Sequence, residues 1–143
     1  MVTNTAPRLV DHLCGQRADA AEGDLFDPAC PTRLVLDRIG DKWTSLVVLL
    51  LSDGPMRFSE LRGHLGLVAP KVLTQTLRRM ERDGLLSREV FAEVPPRVEY
   101  TLTELGQSLA GPISVVGDWA ETHVGQISAA QAAYDAGKAK HSA

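Results

Sequence analysis

The sequence contains few cysteines, few aromatic residues and no long apolar run. Two of its 143 residues are cysteines, and 5% are aromatic. Two cysteines are too few for a disulfide framework, which is typical of proteins in a reducing compartment. The longest apolar run, residues 46–51, is far too short to cross a bilayer. Because the amino terminus also lacks a basic segment followed by an apolar stretch, we predict a cytoplasmic protein without a membrane span.

Signatures of enzymes and of metal sites are also missing from the sequence. The four histidines are scattered without the spacing of metal ligands, and the two cysteines make no zinc motif. There is no Gly-rich phosphate loop, no nucleophile elbow and no paired acid-base constellation. We therefore predict no enzyme, no metal site and no cofactor.

Charge is distributed unevenly along the chain. The formal net charge is -3, which taken alone argues against an anionic partner. Between Arg57 and Arg82, however, six arginines and lysines stand against two glutamates, a net charge of +4 that leaves -7 for the rest of the chain. A basic segment in an acidic chain indicates one basic face, as in nucleic-acid-binding proteins.

The length fits one domain with additional segments at both ends. We predict an arm and linker over residues 1–29, with a short helix around residues 6–20. A compact domain follows over residues 30–124. The last residues, 125–143, are polar and Ala-rich without an apolar face, so we predict a frayed tail there.

Helix signals dominate the compact domain. Pro31 suits the first position of a helix that ends at Ile39, and Asp41 suits the cap of a second, apolar helix that ends near Gly54. A short amphipathic helix near Ser59 and a brief turn lead to a longer helix over residues 70–83.

The pattern then changes from helical to alternating, which predicts a strand hairpin. Pro95 and Pro96 must lie in its loop, because neither can donate a hydrogen bond to a strand ladder. Thr103 is predicted to cap a last helix, which Gly111 and Pro112 should kink or divide. This order predicts an α+β, mainly helical fold, a winged helix-turn-helix.

The helix over residues 70–83 has two distinct faces. At about 100° per residue, one line carries the polar and basic side chains of Lys71, Gln75, Arg78 and Arg82. The opposite side carries Leu73, Leu77 and Met80. Thr74 and Gln75 can hydrogen-bond base edges, and an arginine can bind guanine through two parallel bonds. A solvated face would explain the stripe alone, but the hairpin that follows favours DNA binding.

Four stretches of the chain resemble one known family. These are CPTRLVLDRIGDKWTSLVVLLL, RFSELRGHL, APKVLTQTLRRMERDGLLSREV and VPPRVEYTLTELGQSL. Together, over residues 30–123, they resemble the HxlR family of bacterial transcriptional regulators, relatives of the MarR-type winged-helix proteins. The resemblance implies a homodimer that is joined through N- and C-terminal helices and binds a palindromic operator. We predict repression as its effect.

The resemblance also implies which residues contact double-stranded DNA. They are Lys71, Thr74, Gln75 and Arg78 on the recognition helix and Arg97 in the wing. Beyond the resemblance, we predict that Arg79 and Arg82 on the same helix contact the DNA as well. The sequence departs from the family at Ala69, where members often carry a serine or threonine before the proline. A cap or phosphate contact from that hydroxyl is therefore absent.

Cys30 is a candidate redox sensor. Some HxlR-type regulators sense electrophiles or oxidants through a cysteine at this Cys-Pro position, and a helix N-terminus should lower the pKa of a thiol. The alternative is a small, inert packing residue. Cys14 would be a candidate partner, and a cavity at the dimer interface could hold an aromatic effector instead.

A different class of function stays open from the sequence alone. A winged-helix module that binds proteins and has lost DNA binding would share the fold. Such a module would need no aligned cations on the recognition helix, and its binding would not fall steeply with salt.

Overall fold

A computed structural model describes residues 31–66 and 68–141. The chain divides into two compact units, residues 1–45 and 46–143. The predicted arm over residues 1–29, its short helix and Cys30 lie outside the described residues. The limits of the compact domain, residues 30–124, stay a prediction.

The first unit contains helix α1 (Pro31–Gly40) and the start of helix α2 (Lys42–Leu51). The Asp41 side chain caps α2, because its Oδ1 accepts hydrogen bonds from the backbone N–H of Trp43 at 2.8 Å and of Thr44 at 3.3 Å. The predicted cap is therefore confirmed.

The second unit begins within α2 and contains the remaining elements. They are β1 (Met56–Arg57), α3 (Phe58–His64), α4 (Pro70–Arg82), β2 (Leu86–Phe91), β3 (Arg97–Leu102) and α5 (Glu104–His141). The predicted order of short helix, turn, helix, hairpin and helix is confirmed, as is the mainly helical α+β class. The two-residue strand β1 was not predicted, because alternation cannot be recognised over two residues.

The three strands form one antiparallel sheet in the order β1-β3-β2. In the hairpin, the register runs from Leu86 opposite Leu102 to Phe91 opposite Arg97. Pro95 and Pro96 lie in the loop, as predicted, and the Val94-Pro95 peptide bond is cis.

The core of the second unit joins all of its larger elements. Its most buried apolar side chains are Val47, Val48, Leu51, Leu61, Val68, Leu73, Leu77, Met80, Leu86, Leu102 and Ile113. Three of them form the predicted apolar face of α4, which therefore packs inward. The opposite face of α4 is left at the surface.

The C-terminus of α4 ends in a Schellman motif. Gly84 has a φ of 76°, a left-handed conformation that glycine adopts without strain. The Leu85 N–H donates to the Met80 carbonyl at 2.9 Å, and the Gly84 N–H donates to the Glu81 carbonyl at 3.1 Å. The helix therefore ends where the sequence predicts, shortly before β2.

Helix α5 starts at the predicted cap. The Thr103 hydroxyl accepts from the Gly106 N–H at 3.1 Å and donates to the Gly84 carbonyl at 2.6 Å. Thr103 therefore joins the start of α5 to the turn that ends α4.

Helix α5 differs from the prediction at its end, and of the two outcomes predicted at Pro112, a kink or a division, it excludes the division. It continues from Glu104 to His141 with Pro112 inside it, rather than dividing there. Pro112 removes one backbone donor, and Ser108, whose carbonyl would accept that bond, is exposed to water.

Residues 125–141 are helical rather than frayed. Alanine has the highest helix propensity, and the preceding turns remove the cost of nucleation. Lys138 and Lys140 also place positive charge at the negative end of the helix dipole. No helix in the described ranges is both long and apolar enough to cross a membrane.

Candidate nucleic-acid interface

The outer face of α4 is a continuous polar and basic surface, which we call the α4 face. Its exposed members are Lys71, Gln75, Arg78, Arg79 and Arg82, and Thr74 beside them is half-buried. The helix is strongly amphipathic because Leu73, Thr76, Leu77 and Met80 are buried on the other side. The six predicted contact residues of the recognition helix therefore lie on one helix with their side chains directed away from the core or at its edge.

The N-terminus of α4 has no side-chain cap. Ala69 occupies the cap position in an extended conformation without a side-chain hydrogen bond, and Pro70 is the first helical residue. This is the consequence predicted for alanine at that position. The first-turn backbone N–H groups of this helix are consequently not satisfied by a cap side chain, and they lie beside Lys71.

An ion pair joins the hairpin to the recognition helix. Arg88 on β2 lies 3.7 Å from Glu81 on α4, with Nε and Oε2 as the nearest atoms. Arg88 pairs in register with Tyr100 on β3, so both side chains lie on the face of the hairpin that meets α4. The orientation of the hairpin relative to α4 is therefore held by charge as well as by packing.

The Tyr100 hydroxyl lies in the same charged cluster. Burial raises the pKa of Tyr100 above its ordinary value of 10.0; Arg88 lowers it, Glu81 raises it and Arg78 lowers it by smaller amounts. The hydroxyl is consequently neutral at physiological pH and able to donate a hydrogen bond. Two arginines are thus close enough to lower the pKa of Tyr100. Arg78 is a predicted contact residue of the α4 face, and Arg88 was not predicted.

The sequence contains a signal for Arg88. This residue follows the buried Leu86 by two positions and therefore lies on the inward face of the strand. The predicted basic segment ended at Arg82, so it did not include the charge on this strand.

Arg97 occupies a different environment from the α4 face. Its guanidinium carbon lies 4.2 Å from the centroid of the Phe91 ring. Its Nη2 lies 3.5 Å from Glu93 Oε1, and its Nε lies 3.5 Å from Glu99 Oε1. The register places Arg97 and Phe91 on the face of the hairpin opposite Arg88 and Tyr100. The structure does not bring Arg97 together with the recognition helix residues.

Within residues 31–66 and 68–141, no group of three or more His, Cys, Asp or Glu side chains is arranged to hold a metal ion. The chemistry that the surface offers is hydrogen bonding and positive charge. Both suit a polyanion with readable base edges.

Comparison with known proteins identifies relatives of the whole domain. A protein from Escherichia coli strain K12, named as the HTH-type transcriptional regulator YtfH, is 40% identical over 106 residues, which cover 74% of this chain and 84% of that protein. Its namesake from Salmonella typhimurium has a solved structure with a TM-score of 0.71 and 41% identity, covering 77% of this chain and 98% of that one.

A third relative is a solved structure of the redox regulator HypR in its oxidized form. It has a TM-score of 0.61 and 40% identity, covering 65% of this chain and 96% of that one. These relatives are named as regulators, and the family is one of regulators rather than enzymes. The sequence model of the HxlR-like helix-turn-helix family matches residues 38–128, well over half of the sequence. The chain therefore belongs to the HxlR-like helix-turn-helix family of DNA-binding transcriptional regulators.

Proposed function

We propose that this regulator is a repressor that binds a palindromic operator as a homodimer through two recognition helices. The observation that carries the proposal is the α4 face, which is basic and exposed while the other side of the same helix is buried. The site of action would be the cytoplasm, where the operator DNA of a bacterial cell lies.

We expect the residues of the α4 face to make different DNA contacts according to their position along the helix. Lys71, Thr74 and Gln75 lie in the first two turns of α4, the part of a recognition helix that reaches base edges in the major groove. Arg78 lies one turn further and can bind guanine through two parallel hydrogen bonds. Arg79 and Arg82, in the last turn, are proposed to contact DNA as well. Arg97, predicted to contact DNA from the wing, lies on β3 and not on the α4 face.

The homodimer is supported by apolar side chains that α5 leaves at the surface. The main ones are Leu105, Val115, Val116, Trp119, Val124 and Ile127. Trp119 is 57% exposed, an unusual position for the largest apolar side chain unless another surface covers it. A second copy would cover this face and place two recognition helices about 34 Å apart, in successive major grooves.

Selection of DNA ligands from a random pool by the purified protein tests this function. We expect an enriched, two-fold symmetric sequence, with half-sites about one helical turn apart. Recovery of no enriched sequence, or of an asymmetric one bound by a monomer, would contradict the proposal.

The selected operator then allows Arg78 to be tested. We expect Arg78→Ala to weaken binding by about 1–3 kcal/mol and to relax the preference at one base position per half-site. Lys140→Ala, at the far end of α5, removes the same charge and should leave affinity nearly unchanged. A uniform loss across all sequences would show that Arg78 contacts phosphate rather than a base. A salt dependence of binding that is nearly flat would instead favour the protein-interaction module.

A thiol-dependent signal is a second element of the proposal. The relative HypR is named as a redox regulator, and Cys30 directly precedes Pro31, the first residue of α1. We expect a mild oxidant to change operator binding by the wild type but not by Cys30→Ser. An equal response in both proteins would exclude Cys30 as the sensor and favour a small-molecule effector or a purely packing role.

A further inference from the structure

The hairpin that would serve as the wing carries little positive charge that is available to contact DNA phosphates. From residue 86 to residue 102, Arg88 and Arg97 stand against three glutamates, a net charge of -1. Arg88 is paired with Glu81 of the recognition helix. A contact between the wing and a DNA phosphate would therefore depend on Arg97.

The surroundings of Arg97 do not suit a phosphate ligand. Its side chain is 27% exposed and stacks on Phe91 between the carboxylates of Glu93 and Glu99. Among the described residues, its Nε is buried without a hydrogen-bond partner. Two carboxylates at 3.5 Å already compensate the single positive charge. A phosphate would have to displace them and unstack the ring.

The same contacts connect the parts of the hairpin at the end of its ladder. Phe91 and Arg97 are the last paired residues of β2 and β3. Glu93 lies in the loop beyond that pair, and its N–H donates to the Phe91 carbonyl at 2.9 Å. The planar guanidinium therefore joins both strands to the loop, a role for which an arginine is better suited than a lysine.

The loop held in this way ends in an apolar tip. Val94 is fully exposed, at 102% of its reference area, and Pro95 and Pro96 beside it are exposed. Val94 lies between Glu93, which pairs with Arg97, and the two prolines, and because it is exposed it contributes nothing to the core. Proteins that bind the minor groove frequently insert apolar side chains into it, proline among them.

We propose that the wing meets DNA through its apolar tip, Val94, Pro95 and Pro96, in the minor groove that flanks each half-site. Arg97 is then a positioning residue, which holds the tip through Phe91, Glu93 and Glu99 and does not bind phosphate. This inference rests on the proposed DNA-binding function and specifies how its second contact is made.

The salt dependence of operator binding distinguishes the two roles of Arg97. Each lost phosphate contact lowers the slope of log K against log salt by about 0.9, so a dimer that loses two would lose about 1.8. For Arg97→Gln we expect weaker binding with an unchanged slope. For Arg97→Lys we expect a similar loss, because lysine keeps the charge but not the planar stacking group. A reduced slope in Arg97→Gln together with rescue by Arg97→Lys would overturn the proposal.

The carboxylates provide a second test with opposite predicted signs. Removing a negative charge near DNA should by itself strengthen binding. We expect Glu89→Gln, directly opposite Glu99 in the register, to strengthen binding in this way. Glu99→Gln should instead weaken it, because Arg97 loses a partner. Equal strengthening of DNA binding by both variants would show that Glu99 does not position Arg97 for DNA binding.

The tip is tested with modified operator DNA. Replacing flanking G·C pairs by inosine·C removes the 2-amino group from the minor groove and leaves the major groove unchanged. We expect this replacement to strengthen binding by the wild type but not by Val94→Ser, which itself should bind about tenfold more weakly. Val90→Ser, the same change on β2, is the control. An inosine effect that is absent from the wild type, or unchanged in Val94→Ser, would exclude a minor-groove tip.

These experiments distinguish a wrong assignment of the wing contact from a failure of the proposed DNA-binding function. If the wild type selects no operator, the DNA-binding proposal itself fails. If the wild type binds but the variants behave as phosphate-contact variants, only the assignment of the wing fails. Circular dichroism of each variant establishes that it is folded, and Val94→Ser lies in an exposed loop where loss of the fold is not expected.

Discussion

Among the glycines of α5, Gly106 is the one at which an added Cβ would meet other atoms. A Cβ at this position would lie 2.0 Å from the Leu85 carbonyl oxygen and 2.9 Å from Leu102 Cδ2. The first of these neighbours is backbone that is fixed by the turn after α4, so it cannot move away cheaply. We expect Gly106→Ala to lower the free energy of unfolding by about 1–3 kcal/mol, measured by urea denaturation.

Gly125 provides the matched control on the same helix. A Cβ there meets no atom within 4 Å. Gly125→Ala should raise the free energy of unfolding by up to about 1 kcal/mol, because alanine has the higher helix propensity. Equal effects of the two substitutions would contradict the close approach at Gly106.

The Tyr100 hydroxyl predicts a dependence of stability on pH. Because burial raises the pKa of Tyr100 in the folded protein above 10.0, its neutral form favours folding below that pH. This contribution is lost as the pH rises through the raised pKa, since the unfolded chain ionises first. We expect the free energy of unfolding to fall more steeply above about pH 10 in the wild type than in Tyr100→Phe.

The exposed Tyr134 supplies the control for this pH series. It is 69% exposed on α5 and takes no part in the charged cluster around Tyr100. Tyr134→Phe should therefore leave the steep decline of the wild type in place. A decline that is equally steep in Tyr100→Phe would assign it to other groups.

At the scale of elements, Thr103 connects the recognition helix to α5. Its hydroxyl caps α5 and also donates to the Gly84 carbonyl in the turn that ends α4. We expect Thr103→Ala to cost about 1–2 kcal/mol of unfolding free energy, measured by urea denaturation, because both bonds are lost. Thr103→Ser keeps the hydroxyl and should retain most of the stability. A loss in the serine variant as large as in the alanine variant would indicate that the methyl group, not the hydroxyl, is important.

Other features of the elements show which signals in the sequence are local. Asp41, Gly84 and the two prolines of the wing act on backbone within a few residues, and each lies at the predicted place: a helix cap, a helix end and the hairpin loop. Of the two outcomes predicted at Pro112, a kink or a division of α5, division is excluded, because a penalty at one residue is small beside a long helix. The prediction of a frayed end is wrong because the helix propensity of alanine outweighs the polar composition of these residues.

At the scale of the whole molecule, the exposed face of α5 predicts assembly. Helix α5 has 38 residues, a length of about 57 Å. Val116, 65% exposed, lies on the same side as the buried Ile113. We expect Val116→Glu to raise the dissociation constant of the dimer at least about tenfold, measured by sedimentation velocity, because a carboxylate would be buried without a partner.

Ser114 is the control for assembly. It is exposed on another side of α5, where its hydroxyl donates to the Ala110 carbonyl. Ser114→Glu adds the same charge and should leave the dimer intact. Dissociation in both variants would indicate a general effect of charge, and dissociation in neither would remove α5 from the interface.

The sequence by itself determined the order of the helices and the hairpin, though not the strand β1, because caps, turns and periodicity depend on neighbouring residues. It also determined the basic face of α4 and the family. The tertiary structure decided which partners the charged side chains of the hairpin contact. Arg88 and Arg97 belong to one hairpin, yet one joins the recognition helix and the other closes the loop. The two arginines differ because the strand register places them on opposite faces of the hairpin, where Arg88 meets Glu81 and Arg97 meets Glu93 and Glu99. A charge acts through its neighbours in space, and these are set only when the chain has folded.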